Sequence, residues 1–264
     1  MTTRRQNIGL LLTLAVGCSV SLALPVRAAE IDATAKNDYA LGKWRQAADQ
    51  ASRLRDANNL AFAARSLLAS ALLSSSSRSR TSEILQARQF AEAALILDPR
   101  HIEARLQLAT ALGLQARTGS PARAFAAGLP QRVRRLLDGV ARDAPNQAWT
   151  YALLGGWHLE GLRIGGAAAR AMLGVDLAAG KAAFSRAMRL DGNEAATPFY
   201  FAASLLALNP LGNSEEAASL LARVQAMPNR DAFQNEVKAR ANLLIEALGA
   251  QGAESAAKLA LGWL

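Results

Sequence analysis

The chain of 264 residues carries 30 lysines and arginines against 21 acidic residues, is 51% hydrophobic but only 5% aromatic, and contains one cysteine. This composition excludes collagen, disulfide-rich scaffolds and acidic disordered chains. The chain is rich in alanine, the strongest helix former, which contributes little to a pleated sheet. We therefore predict an all-α protein rather than a β-sandwich or a β-barrel.

Residues 1–28 have the features of a secretory signal peptide. Two arginines precede an apolar run over residues 8–24, and Val26 and Ala28 supply the small side chains that a signal peptidase requires. We predict cleavage after Ala28, so that the protein is periplasmic or secreted.

Two alternatives to cleavage remain open. An uncleaved membrane anchor is possible, although the apolar run is at the short edge of the ~20 residues needed to span a bilayer. Cys18 also ends a loose lipobox, Leu-Ala-Val-Gly-Cys, which would make it a lipidated N-terminus. The apolar run continues beyond Cys18, whereas a lipoprotein usually becomes polar there, so ordinary cleavage is favoured.

Removing residues 1–28 takes away three arginines and no acidic residue, so 27 positive side chains face 21 carboxylates and the net charge becomes +6. The remainder has no cysteine, so it can occupy an oxidising compartment without disulfides and must be stable through packing alone. The charge by itself identifies no partner.

Helix-ending corners recur along the chain and define an internal period. Their proline or glycine positions are separated by 46, 47 and 36 residues. Apolar side chains at helical spacing precede and follow these corners, which predicts a series of helix pairs. The corners are Asp98-Pro99, Ala144-Pro145, Asp191-Gly192 and Met227-Pro228.

The clearest stretch contains Tyr151, Leu154-Gly155, Gly180, Phe184, Ala187 and Gly192. This pattern resembles the tetratricopeptide repeat (TPR), a helix-turn-helix unit of 34 residues. The resemblance implies a TPR-like α-solenoid of antiparallel helix pairs over residues 29–264, as one domain. In such repeats, small residues let the two helices of a pair approach, and large residues fill the space between pairs.

The period exceeds 34 residues by 12 or 13 in two repeats. The excess lies between the two helices of a pair, at 117–130 and 162–179, and both inserts contain several glycines. Such long connections are uncommon unless they are functional or partly helical. We expect a short helix at 167–173, a polar break at 74–82, a long final helix over 231–248, and residues 254–261 covering the open end.

A second resemblance involves Leu153-Leu154-Gly155, Trp157, Glu160, Leu173-Gly174 and the segment from Phe184 to Asp191. These residues are similar to the repeat region of the regulator of microtubule dynamics family and to secreted bacterial repeat proteins. The resemblance implies the fold with its long insert, and no activity.

Catalytic, cofactor and metal motifs are weak. His158-Leu159-Glu160 has the order found in zinc deaminases, but residues 29–264 contain no cysteine that could complete such a site. Gly174 to Ala182 departs from the phosphate-binding loop in spacing and lacks its Ser or Thr. We predict a non-enzymatic protein without cofactor or metal, and an unrecognised hydrolase using Glu160 is an alternative.

The TPR resemblance implies that the first helix of each pair lines a concave wall. A mixture of aromatic, small and acidic side chains on this wall suits a protein or peptide partner from the cell envelope, bound as an extended segment or a helix. Trp149 and Phe199 would be its aromatic anchors, unless they pack beneath the inserts. The candidate partner-binding residues are Leu106, Thr110, Trp149, Leu159, Glu160 and Phe199.

Arg132, Arg134 and Arg135 form a basic stretch on one predicted helix. They indicate either a solvated face, in which Arg134 pairs with Asp138 one turn later, or a contact with an anionic membrane surface by an envelope assembly subunit. Nucleic acid is disfavoured because of the export signal and the lack of interleaved aromatic side chains.

Overall fold

A computed structural model describes residues 30–74 and 76–264, and the predicted signal peptide and Cys18 lie outside them. The described residues form thirteen helices and no strand, which confirms the all-α prediction. The helices are α1 (Ala33–Ala40), α2 (Trp44–Ser52), α3 (Ala57–Leu73), α4 (Ser77–Leu97), α5 (Ile102–Thr118), α6 (Pro121–Ala126), α7 (Leu129–Asp143), α8 (Ala148–Leu173), α9 (Leu177–Leu190), α10 (Ala196–Leu208), α11 (Ser214–Ala226), α12 (Ala232–Ala250) and α13 (Ala253–Leu261).

Several helices begin at a polar side chain that accepts a hydrogen bond from an unpaired backbone N–H of the first turn. Asp56, Asp176 and Asp231 cap α3, α9 and α12 in this way. Ser76 caps α4 likewise, so most of the predicted polar break at 74–82 is helical. The capping serine explains this difference, because it offers a helix start inside a polar run.

Helices that follow one another in the chain pack against one another. In addition, α3, α5, α8 and α10 contact each other in that order, which makes them a continuous inner row. Helices α5 with α7, α8 with α9, and α10 with α11 are the predicted pairs. The superhelical arrangement of a solenoid stays a prediction.

Close helix approach depends on two glycines of the repeat pattern. A Cβ atom on Gly155 of α8 would lie 2.4 Å from the Phe184 ring, and one on Gly180 of α9 would lie 2.2 Å from a methyl group of Leu159. Helices α8 and α9 thus pack so closely that no side chain larger than that of glycine fits at either position.

Both inserts are largely helical. The first extends α5 to Thr118 and adds the short helix α6. The second prolongs α8, which is broken at Gly166 with φ 50° and ψ −128°. Side-chain-bearing residues rarely adopt such angles, so glycine permits the break. The segment 167–173 beyond it is helical, as predicted.

The two ends of the described chain meet. Helix α12 contacts α1, and the guanidinium of Arg240 donates a 2.9 Å hydrogen bond to the carbonyl of Leu72 at the end of α3. Helix α13 packs on α10 and α12, and the Trp263 ring that follows it lies 6.1 Å from the ring of Phe199. Residues 254–261 therefore cover α10 and α12, while α12 itself reaches the opposite end of the helix series.

Candidate functional site

Of two cavities lined by described residues, the larger has a volume of about 420 Å³ and lies between the inner row of helices and the two inserts. Helix α5 contributes Thr110, Gly113 and Arg117, which lie on one face because they are three or four residues apart. Helix α10 contributes Tyr200 and Ser204 in the same way. Most other lining side chains are apolar, as in typical small-molecule sites.

Helix α8 supplies the longest wall of the larger cavity. Trp149, Gly156 and Glu160 line it on one face of the helix, seven and four residues apart. Trp149 and Leu154 also pack against both of the main hydrophobic clusters. This part of α8 therefore joins the two halves of the core and borders the cavity at the same time.

The inserts form the outer wall. Phe125 and Pro130 come from the first insert, and Ile164 and Met172 from the second. Ile164 is 43% exposed and Met172 is 65% exposed, so the cavity reaches the protein surface at the second insert.

A smaller cavity of about 260 Å³ lies towards the N-terminal ends of α5, α8 and α10 and shares Thr110, Trp149 and Thr197 with the larger one. Its walls are more polar. Arg65 stacks over the Tyr39 ring at 5.1 Å and lies 3.9 Å from Glu103. Burial raises the pKa of Glu194, and nearby carboxylates add to this rise. The hydrogen bond from the Ala196 N–H lowers the pKa but does not outweigh burial. This cavity is acidic within a basic chain.

Glu160 is the centre of an ion-pair cluster at the insert end of the larger cavity. It accepts two hydrogen bonds from Arg163, at 2.7 and 2.9 Å, and lies 3.2 Å from Arg117. Burial alone would raise the pKa of Glu160, but the hydrogen bonds and charges of Arg163 and Arg117 outweigh it and lower the pKa. Glu160 is therefore ionised at neutral pH and pairs with both guanidiniums.

Tyr200 has a buried hydroxyl that makes no hydrogen bond to any described residue. Burial raises its pKa to about 12, even though the nearby cations Arg240 and Arg117 favour the ionised form. Leaving a buried hydroxyl unpaired costs about 1–3 kcal/mol, so such a group calls for an explanation.

Three of the six predicted partner-binding residues line the larger cavity, namely Thr110, Trp149 and Glu160. The other three do not. Leu106 and Phe199 are fully buried and Leu159 is 1% exposed. All three belong to the hydrophobic core, where Leu159 packs over Gly180 and Phe199 contacts the Tyr200 and Trp263 rings.

The prediction of Phe199 as an exposed anchor is therefore corrected. The cavity face of α10 passes through Tyr200, one residue later and about 100° further round the helix. Sequence reasoning missed Tyr200 for this reason. It also placed Arg117 only at the edge of an insert, where no pattern distinguished it from a surface arginine.

The basic stretch on α7 is mostly engaged within the protein. Arg132 pairs with Glu92 at 3.0 Å, and Arg134 pairs with Asp138 as predicted and stacks over the Trp157 ring at 5.1 Å. Among the three, only Arg135 is exposed, and the other two are half-buried. Two of the three guanidiniums thus hold α7 in place, which favours the solvated-face interpretation.

His158 has a structural contact. Its Nδ1 accepts a hydrogen bond from the Asp176 N–H at 3.0 Å, and burial together with the charge of Arg134 lowers its pKa. Across residues 30–74 and 76–264, no group of three or more His, Cys, Asp and Glu side chains is arranged to hold a metal ion. Within the same residues no helix is long and apolar enough to cross a membrane.

No protein-family model matches the chain, and no curated protein matches it significantly.

Proposed function

We propose that this protein is a non-enzymatic binding protein, and that its larger cavity takes up an extended apolar segment of the ligand. The observation that carries the proposal is the cavity itself: an apolar space of about 420 Å³, bordered by both inserts and open where Ile164 and Met172 are exposed. Its volume and lining are in the range of natural ligand sites. The TPR-like solenoid of the sequence prediction would provide its inner wall.

The sequence predicts a peptide or protein partner in an open concave groove. The cavity supports a narrower version of that prediction, since Leu106, Leu159 and Phe199 are unavailable and the accessible wall centres on Trp149 and Gly156. A single extended apolar segment fits this space better than a whole helix, because a helix has a diameter of about 10 Å. Export to the periplasm or the cell exterior belongs to the same proposal and rests on residues 1–28 alone.

Filling the cavity tests the proposal. A Cβ atom on Gly156 meets no atom within 4 Å, so Gly156→Leu introduces a side chain into the cavity without a backbone clash. Gly249→Leu is the matched control, because Gly249 also has open space, is exposed and lies on α12 away from the cavity.

Binding of the neutral fluorescent dye Nile red is the readout. We expect the wild-type protein and Gly249→Leu to bind the dye with similar affinity and Gly156→Leu to bind it at least tenfold more weakly. Equal binding by all three folded proteins would contradict the proposed function. Trp149→Ala should also weaken binding, since its ring borders the same space.

A further inference from the structure

The larger cavity contains a polar group that is unpaired within the described part of the chain. The hydroxyl of Tyr200 is buried and has no hydrogen-bond partner among the described residues. Arg117 lies 3.2 Å from Glu160, which also accepts two hydrogen bonds from Arg163. Both Tyr200 and Arg117 line the cavity.

The charge of this cluster is unbalanced. One carboxylate, Glu160, faces two guanidiniums, so the cluster has a formal excess of one positive charge. Burial lowers the pKa of Arg117, which means that the cavity disfavours its charged form, and Glu160 offsets this only in part. An additional anion beside Arg117 would relieve this cost.

Arg117 and Tyr200 line the same cavity, and the charge of the guanidinium favours the ionised form of the phenol, although burial prevails. Both are hydrogen-bond donors toward oxygen, and charge-assisted bonds of this kind are the strong ones. The remaining wall, including Phe125, Leu153 and Ile164, is apolar. A single excess positive charge matches a monoanion better than a doubly charged phosphate.

We propose that the larger cavity binds a long-chain carboxylate, with its head group at Arg117 and Tyr200 and its hydrocarbon chain against the apolar wall of the inserts. This inference rests on the proposed function and names the chemical class of the ligand. The exposed side chains of Ile164 and Met172 mark the place where such a chain enters or leaves the cavity.

Palmitate and methyl palmitate are the test ligands, because they share one hydrocarbon chain and differ in the charge of the head group. Each is titrated into the Nile red complex of the full protein at neutral pH. The wild-type protein should bind palmitate at least tenfold more tightly than the ester. Tyr200→Phe should bind palmitate about tenfold more weakly, which is the loss of one hydrogen bond to a charged group.

Arg117→Met should remove the preference for palmitate over methyl palmitate. Arg189→Met is the matched control, since Arg189 is exposed on α9 and outside the cavity. Tyr200→Phe also guards against misfolding, because it deletes only an unpaired hydroxyl and should not lower the melting temperature.

The inference is overturned if the wild-type protein binds the ester as tightly as palmitate, or if Arg117→Met and Tyr200→Phe both retain the wild-type preference. If either of these results is obtained while Gly156→Leu still loses Nile red binding, the inference is overturned and the proposed function stays intact. If Gly156→Leu binds both palmitate and Nile red as tightly as the wild-type protein does, the proposed function is contradicted as well. If an apolar peptide displaces Nile red tightly and palmitate does not, the ligand is a peptide, and the proposal of a long-chain carboxylate is overturned.

Discussion

Single residues determine how closely the helices of this protein approach. Neighbouring glycines on α8 have opposite surroundings: a Cβ atom on Gly155 would meet the Phe184 ring, whereas one on Gly156 would enter open space. The TPR-like pattern includes Gly155, and its small-residue requirement follows from this contact. Gly156 lies outside that pattern, and its absent side chain leaves room in the cavity.

We expect Gly155→Ala to destabilise the protein by about 1–3 kcal/mol, because the new methyl group forces Phe184 or the α8 backbone to move. Gly156→Ala should instead be neutral or stabilising by up to about 1 kcal/mol, since alanine favours the helix and nothing obstructs it. Urea unfolding followed by circular dichroism measures both. Equal effects at the two positions would show that α8 and α9 are further apart than described.

Phe184 and Phe199 are both buried in the core, at 1% and 0% exposure. Phe184→Ala and Phe199→Ala should each cost ~3–5 kcal/mol through the cavity left behind. Arg135→Ala, at an exposed position on α7, should stay within about 0.5 kcal/mol. A Phe199→Ala variant as stable as Arg135→Ala would restore the prediction that Phe199 is an exposed anchor.

At the scale of elements, two partly buried carboxylates have opposite electrostatic effects on the packing of helices. Glu160 of α8 links to Arg117 of α5, and its pKa is lowered because these contacts outweigh burial. Glu194, between α9 and α10, has a raised pKa because burial dominates. An ionised glutamate therefore stabilises the fold at Glu160 and destabilises it at Glu194.

Glu160→Gln should lower the free energy of unfolding at pH 7 by about 1–3 kcal/mol, since it weakens a partly buried charged network. A lowered folded-state pKa means that this contribution is complete above the unfolded value of about 4.3 and disappears as the pH falls through the folded value. The difference between variant and wild type should thus shrink in acid. Chemical unfolding between pH 3 and 7 measures it.

Glu194→Gln should have the opposite sign. A raised folded-state pKa means that the wild-type protein loses stability as the pH rises from about 4.3 through the folded value. The neutral amide avoids this loss and can still accept the hydrogen bond from the Ala196 N–H. We expect the variant to be more stable than wild type at pH 7 and equal to it near pH 3, and a destabilised variant at pH 7 would contradict the burial of this carboxyl group.

At the scale of the whole molecule, contacts between distant parts of the chain enclose the cavities. Arg240 on α12 donates to the Leu72 carbonyl and lies 5.3 Å over the Trp263 ring, and it is only 8% exposed. Leu72 lines both cavities and Leu264 lines the larger one. The contact of α12 with the N-terminal helices therefore helps to close the space in which we propose that a ligand binds.

Arg240→Met should destabilise the protein by about 1–3 kcal/mol, because it removes a buried hydrogen bond and a cation–π contact while keeping much of the side-chain volume. It should also accelerate dissociation of Nile red. Arg223→Met on α11 is the matched control at an exposed position. Thermal unfolding and stopped-flow release measure the two effects, and identical behaviour of the two variants would show that the contact of α12 with α3 is not structural.

The sequence by itself determined the all-α class, the helix pairs around the recurring corners, the helical segment at 167–173 and the approach of α8 to α9. These properties depend on neighbours within a few turns, where propensity, capping and spacing of small residues act directly. Only the tertiary structure decided that Tyr200 rather than Phe199 faces the cavity, that both inserts wall the same space, and that α12 reaches α1. These depend on the rotation of each helix about its axis and on contacts such as Arg240 to Leu72, which are 168 residues apart. No periodicity specifies such contacts, because they arise when the packed helices are placed together.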